Sequence, residues 1–224
     1  KKYSPSKLSD LNTILEISED NLASAGHGFD PEIDTDERVN MSMGIFVVET
    51  KWLIKHLREA YQTNLPPSLQ YWLDAKTRDE ETAAYEFVGY VSNVFDVQSY
   101  YRANLDMLDP ANFNTLFFSS NKIYTKVKNE APTYFSKDSD VKASQFASGS
   151  VVKGEVKDSI ISRNVKIETG AKVHGSIIMP SCKIESGAEV VYAIVDKNVT
   201  VKSTAKIIGS PEAPIVIAKG SIIE

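Results

Sequence analysis

Cysteine, histidine and tryptophan are scarce in this 224-residue chain: one cysteine (Cys182), three histidines and two tryptophans. A single cysteine excludes an internal disulfide and a clustered thiolate metal site, and it suits a reducing compartment. No apolar run reaches the roughly 18 to 20 residues that a bilayer-spanning helix needs. The first residues, Lys1-Lys2-Tyr3, lead into polar sequence rather than an apolar signal core. These absences predict a cytoplasmic chain with no membrane partner. Long runs of one charge are missing too. Twenty-five basic residues stand against thirty acidic ones, a formal net charge of −5. With no Lys/Arg cluster able to follow a phosphate backbone, nucleic acid is not an expected partner.

What the sequence does contain is 42% hydrophobic residues, enough for one large or two ordinary domains, and two regions of different grammar. Aliphatic residues recur at Ile161, Ile167, Val173, Ile178, Ile184, Val190, Val195, Val201 and Ile207, in steps of 6, 6 and 5 that give a period of 17. Two positions before each stands a residue no larger than Val: Ser159, Val165, Ala171, Ser176, Cys182, Ala188, Ala193, Val199 and Ala205. A coil with three flat sides produces this pattern. Each side points one aliphatic residue into a narrow core, and the smaller residue sits where the chain bends. The spacing predicts a parallel β-solenoid over residues 137–224. Upstream, Val141, Phe146, Val151 and Val156 follow five-residue steps, with Ser139, Ser144, Gly149 and Gly154 as small partners, so the first turn is expected to be compressed. Ser210-Pro211-Glu212-Ala213-Pro214 breaks the period and is expected to loop from a corner, with Ile217 and Ile222 resuming the pattern. A β-sandwich would instead need steps of two and hairpin turns.

Residues 1–110 mix strand-like runs with amphipathic helices. Asn12–Ile17 alternates in strand fashion, and Glu19-Asp20-Asn21 supplies turn chemistry. Gly44–Val48 and Ala84–Tyr90 are expected as strands. Thr50 can cap a helix with Leu53, Leu57 and Tyr61 on one face, and Ser99 begins a second helix through Leu108, which Asp109-Pro110 stops. An α/β domain over 1–110 follows. Residues 111–136, with Pro132 and few periodic signals, are expected as a connector.

Particular words narrow the field. Ser42-Met43-Gly44-Ile45-Phe46, Gly89-Tyr90, Ser99-Tyr100-Tyr101-Arg102-Ala103-Asn104 with Leu108, and Lys122-Ile123-Tyr124-Thr125 followed by Ala131-Pro132 occur in that order. Together they resemble the ADP-glucose pyrophosphorylases, the glucose-1-phosphate adenylyltransferases of bacterial glycogen synthesis, over nearly the whole chain. The resemblance implies the later part of an α/β nucleotidyltransferase-like domain followed by a left-handed parallel β-helix of hexapeptide coils. The family's Gly-rich phosphate loop and catalytic basic residues precede these words and have no counterpart here, which implies a segment lacking the N-terminal part.

The departures from the family bear on function. Where the family's sugar-phosphate clamp reads Glu-Lys-Pro, this chain has Phe29-Asp30-Pro31, and an ionised Asp30 would repel the phosphate that Lys neutralises. Where the family reads Gly-Tyr-Trp-x-Asp-Val-Gly-Thr, this chain reads Gly89-Tyr90-Val91-Ser92-Asn93-Val94-Phe95-Asp96. Asn93 thus replaces a carboxylate that helps hold magnesium, and a neutral amide is a poor magnesium ligand. No Asp-Phe-Gly lies between Tyr61 and Ala84; Tyr71-Trp72-Leu73-Asp74 stands there. Of the expected substrate words only Ser42 survives. The resemblance therefore implies the noncatalytic, D-type regulatory subunit of the family, with Ser42, Asp30 and Asn93 as a vestigial substrate pocket and no catalytic or metal-ligating residue. It implies no cofactor for this segment, Mg2+ in the catalytic partner subunit, and a hetero-oligomer, in this family a tetramer, with that partner. A homo-oligomer stays open.

Competing readings attach to several of these residues. Ser42 could touch sugar or be a satisfied hydroxyl beside a strand. Asp96 could replace the missing carboxylate in a fully active adenylyltransferase. His174, at a solenoid corner, could be the general base of a β-helix acyltransferase, although no second histidine lies nearby; surface or packing roles are expected for His27, His56 and His174. Cys182 is expected as a core thiol. Tyr85, Phe87, Tyr90, Tyr100 and Tyr101 are expected as core, with the lining of a remnant pocket as the alternative.

Overall fold

The computed structural model describes the backbone of strands at 2–3, 13–17 and 23–28, together with residues 39–63, 68–77, 82–87, 89–118, 123–124 and 128–224. The chain divides into two compact units, Lys1–Val88 and Gly89–Glu224.

The first unit carries an antiparallel sheet of β1 (Lys2–Tyr3), β2 (Thr13–Ile17), β3 (Ala23–Gly28) and β4 (Val39–Met41), in the order β1-β4-β2-β3. β2 is the strand expected from the alternation at 12–17; Glu19-Asp20-Asn21 lies outside the described residues. Helices α1 (Thr50–Thr63) and α2 (Leu69–Lys76) follow. α1 turns Trp52, Leu53, His56, Leu57 and Ala60 inward while Tyr61 is exposed. Its buried face is thus set by the large Trp52 ring, which meets His56 at 4.4 Å and Trp72 of α2 at 6.0 Å between centroids.

Two expected strands are absent among the described residues. Residues 45–49 and 84–87 are irregular, with Ile45 78%, Val47 99% and Tyr85 90% exposed. An apolar run becomes a strand only when a neighbour takes up its backbone hydrogen bonds, and the described sheet ends its pairing at Met41.

The second unit opens with α3 (Val97–Leu105), a 3-10 turn over Asp106–Leu108, and α4 (Pro110–Phe117). The first of these helices begins two residues earlier than expected because Asp96 caps it. Pro110 starts a helix as well as stopping one: Asp109 accepts the Ala111 N–H at 2.8 Å, and proline at the first helical position gives up an N–H that would have had no partner. The stretch expected as a bare connector therefore starts as helix. The units divide at Val88/Gly89, whereas the change of sequence grammar falls near residue 110, because α3 docks on the solenoid. Tyr101 is only 3% exposed and clusters with Ile177 and Ile194; its hydroxyl donates to the Gly175 carbonyl, and Gln145 Nε2 donates to the Met107 carbonyl.

Residues 134–223 form the parallel solenoid that the period predicts, with three sheets of five, six and five strands. Ile160 pairs with Ile177 and Ile177 with Ile194, a spacing of 17 at each step. All nine predicted inward aliphatics and all nine small partners are buried. Corners use the left-handed backbone region in stacked columns, such as Asn164, Ser181 and Asn198 at φ 58, 64 and 60°. Column serines bind coil to coil: Ser159 Oγ accepts the Ser176 N–H at 3.0 Å, and Ser176 Oγ accepts the Ala193 N–H at 3.0 Å. Each hydroxyl in turn donates to a carbonyl of its own coil, Lys157 O at 2.6 Å and His174 O at 2.8 Å. Small polar residues at bends thus satisfy backbone groups that no apolar side chain could reach.

The ends of the repeat correct two expectations. Val152, not Val151, faces inward; it pairs with Ile167, while Val151 pairs with the outward Lys166. Adjacent valines cannot reveal from sequence which one points in, since neighbouring strand residues face opposite sides. The compressed coil is 15 residues, from Val141 to Val156 and from Val152 to Ile167, and the shortening falls at the Gly154 corner. At the other end Ala193 pairs with Ile215, a spacing of 22 that is the 17-residue period plus the five residues 210–214. The insert loops out as expected and Ile217 resumes the core, but the next inward residue is Ile223, paired with Val201, while Ile222 is exposed.

Candidate functional site

Ser42 follows β4 in the first unit and is half-buried. Its hydroxyl donates to Asp74 Oδ1 at 2.8 Å and accepts the Gly44 N–H at 3.2 Å. Asp74, buried on α2, also anchors its own helix end, where its carbonyl accepts the Thr77 hydroxyl at 2.7 Å. The pairing spans 32 residues, and no local spacing announces it. Gly44 holds the turn between them at φ 66°, packed so that a Cβ would lie 2.8 Å from the Gln70 side chain. Asp30 lies outside the described residues.

Asn93 belongs to the second unit, half-buried in the irregular stretch before α3. Three residues on, Asp96 closes a capping box. Its Oδ1 accepts the Ser99 N–H at 2.6 Å, and Ser99 Oγ accepts the Asp96 N–H at 2.9 Å. Hydrogen bonds from Ser99 hold the Asp96 carboxyl below its ordinary pKa. This role is legible in the spacing Asp96-Val97-Gln98-Ser99, in which Asp96 is the cap and Ser99, expected as the start of the helix, is its third residue. The Asp96 carboxylate is thereby drawn into the helix terminus. Among the described residues, no three His, Cys, Asp or Glu side chains converge as metal ligands.

The remaining candidates scatter. His56 Nδ1 lies 2.9 Å from the Trp52 carbonyl in α1, and His27 falls in β3. His174 sits at a solenoid corner with Nε2 3.3 Å from Asp158 Oδ2 and its ring 5.5 Å from that of Tyr192. Cys182 is a core thiol as expected: it is buried, its Sγ donates to the Asp196 carbonyl at 2.9 Å, and burial pushes its pKa up. Of the aromatic set only Tyr101 is deeply buried. Burial, and secondarily Tyr192, pushes its phenol up to about 12. Tyr90 donates to Asp106 at 3.2 Å, whereas Tyr85 and Phe87 are exposed.

Comparison with known proteins matches this architecture. A family model described as "GlmU-like, C-terminal hexapeptide" matches residues 131–213, which lie in the solenoid and its approach. The "Glycogen biosynthesis protein GlgD" of Bacillus subtilis is 34% identical over 181 residues, 81% of this chain and 52% of the relative. GlgD of Geobacillus stearothermophilus is 53% identical over 120 residues, 54% of this chain and 35% of the relative. A "Glucose-1-phosphate adenylyltransferase" of Fusobacterium nucleatum is 32% identical over 141 residues, 59% of this chain and 35% of the relative. The chain spans about half, or less, of the length of the curated relatives it matches. With a hexapeptide solenoid in its second unit, this chain is similar both to GlgD and to the glucose-1-phosphate adenylyltransferases.

Proposed function

We propose that this chain is part of a regulatory, catalytically deficient subunit of glucose-1-phosphate adenylyltransferase, the cytoplasmic enzyme that makes ADP-glucose and diphosphate from ATP and glucose 1-phosphate for glycogen synthesis. The observation that carries the reading is the amide of Asn93 at the family's carboxylate position, with the nearest following carboxylate, Asp96, bound into a helix cap. Asp30, an acid where a phosphate needs a base, supports it further. Magnesium prefers anionic oxygen, so these residues suit it poorly, and the ion belongs to the catalytic partner. Ser42 is the one retained substrate word, and its hydroxyl serves the Asp74 contact.

Function then arises through contact. The subunit binds the catalytic one in a hetero-oligomer and favours its active conformation, which is differential binding energy acting as allostery. The test is the adenylyltransferase rate of the candidate catalytic subunit with and without the intact form of this protein. The expected result is a faster mixture and little turnover by the intact protein alone. Equal rates for the intact protein alone and the mixture would overturn the reading. Asp96→Asn separates the active-enzyme alternative: asparagine still caps a helix, so the stimulation of the catalytic subunit should persist, whereas a magnesium ligand at Asp96 would make the substitution abolish the magnesium-dependent turnover of the intact protein alone.

A further inference from the structure

A cleft of about 580 Å3 opens on the second unit, within the roughly 300–1,000 Å3 of small-ligand sites. One wall is α3 with Gln98 and Arg102, followed by Asp106; a second is the solenoid corner carrying Asp158, His174 and Tyr192; the third is Pro211-Glu212 of the insert. The repeat does not need that insert, since the pairing of Ala193 with Ile215 proceeds as if residues 210–214 were absent. The loop leaves and re-enters directly above Tyr192, whose carbonyl accepts the Ile215 N–H at 3.1 Å. Insertions in solenoids gather on one face, often the binding face.

The corner column is left-handed at Asp158, Gly175 and Tyr192, φ 48, 53 and 49°. A bulky aromatic there is a backbone outlier that Gly or Asn would avoid, and such strain is retained where the side chain is used. The Tyr192 ring covers Gly175 so closely that a Cβ on Gly175 would lie 2.6 Å from it.

The polar groups decide the ligand. Asp106, Asp158 and Glu212 oppose a phosphate or other dense anion, while Arg102 opposes an ammonium group. Uncharged hydroxyls satisfy both sets, because they donate to carboxylates and accept from Arg102 and Gln98. The C–H face of a pyranose also matches an aromatic surface. We propose that this cleft binds a neutral carbohydrate chain. The choice of an α-1,4-glucan as its occupant rests on the glycogen-synthesis reading above.

The test titrates the isotope-labelled chain with maltopentaose, cellopentaose, inorganic phosphate and spermidine, and follows amide resonances. Maltopentaose should move Gln98, Arg102, His174, Tyr192 and Glu212 saturably, with a dissociation constant on the order of 1 mM or tighter. Arg102→Gln and Glu212→Gln, both at exposed positions, should each weaken it roughly tenfold. Cellopentaose binding alone would support the sugar site but remove the α-1,4-glucan assignment. Movement by phosphate or spermidine but neither sugar, no movement in any arm, or unchanged affinity in both variants would overturn the proposal. The assay contains no adenylyltransferase, so its failure would leave the regulatory reading standing.

Discussion

Gly154→Ala tests how tightly the shortened coil is built. Gly154 is buried at the corner where the coil loses two residues, and a Cβ there would lie 2.4 Å from the Ala171 carbonyl oxygen and 2.8 Å from that of Glu168. Both obstacles are backbone of the next coil, so no side-chain rotation relieves them. Ordinary contact begins near 3.4 Å; the two coils must therefore separate by about 1 Å locally, stretching the 2.9 Å bond from Glu155 N–H to Ala171 O. Overpacking of this kind costs roughly 1–3 kcal/mol, and a weakened backbone bond adds about 1 kcal/mol. At roughly 2–4 °C per kcal/mol for a unit of this size, Tm should fall by about 5–15 °C. Gly170 is the control. It has φ 77° but open space, with its nearest neighbour at 3.7 Å, so Gly170→Ala should cost only the left-handed backbone penalty of roughly 1–2 kcal/mol. Asparagine should be tolerated better than alanine at Gly170 and worse than alanine at Gly154. Calorimetry of the four variants reads this out. A Gly154→Ala melt within about 1 °C of the parent, against the loss expected at that scale, would refute the close-packed corner.

Tyr101→Phe removes the hydroxyl that donates to the Gly175 carbonyl and leaves that buried acceptor unsatisfied, with an expected loss of about 1–3 kcal/mol by denaturant titration. Because the folded phenol is raised to about 12 from an ordinary value near 10, its contribution is complete below pH 10 and disappears as pH rises towards 12; stability of the parent should fall across that window, and Tyr101→Phe should flatten the fall. Cys182 is buried with its thiol pKa raised by burial, so a thiol-reactive dye should label it slowly in buffer and completely in denaturant; rapid native labelling would contradict its place in the core.

Much of the solenoid was legible because each inward residue is determined by its distance along the chain from the last corner. Nine aliphatics at steps of 6, 6 and 5 suffice to place the three sheets, since stacking equivalent positions is the only way to bury them together. Legibility failed where that local rule ran out. Val151 and Val152 carry identical side chains, and only the pairing of Val152 with Ile167 decides between them. Gly44–Val48 and Ala84–Tyr90 have strand composition, but a strand exists through the neighbour that takes up its backbone bonds, and residues 45–49 and 84–87 are irregular.

The candidate site divides along the same line. The residue changes at Asp30 and Asn93 were visible in the sequence, and so was the cap spacing from Asp96 to Ser99. The Ser42–Asp74 bond was not, since the two residues are 32 apart and nothing periodic links them. Nor was the seating of α3 through Tyr101 on Gly175, 74 residues away. By itself the sequence determined the coil period, the small residues at its bends and the altered substrate words, because those are properties of near neighbours and of side-chain chemistry. Only the tertiary structure decided the inward valine, the partner of Ser42 and the cleft at Tyr192, because each depends on which distant backbone arrives at the same place.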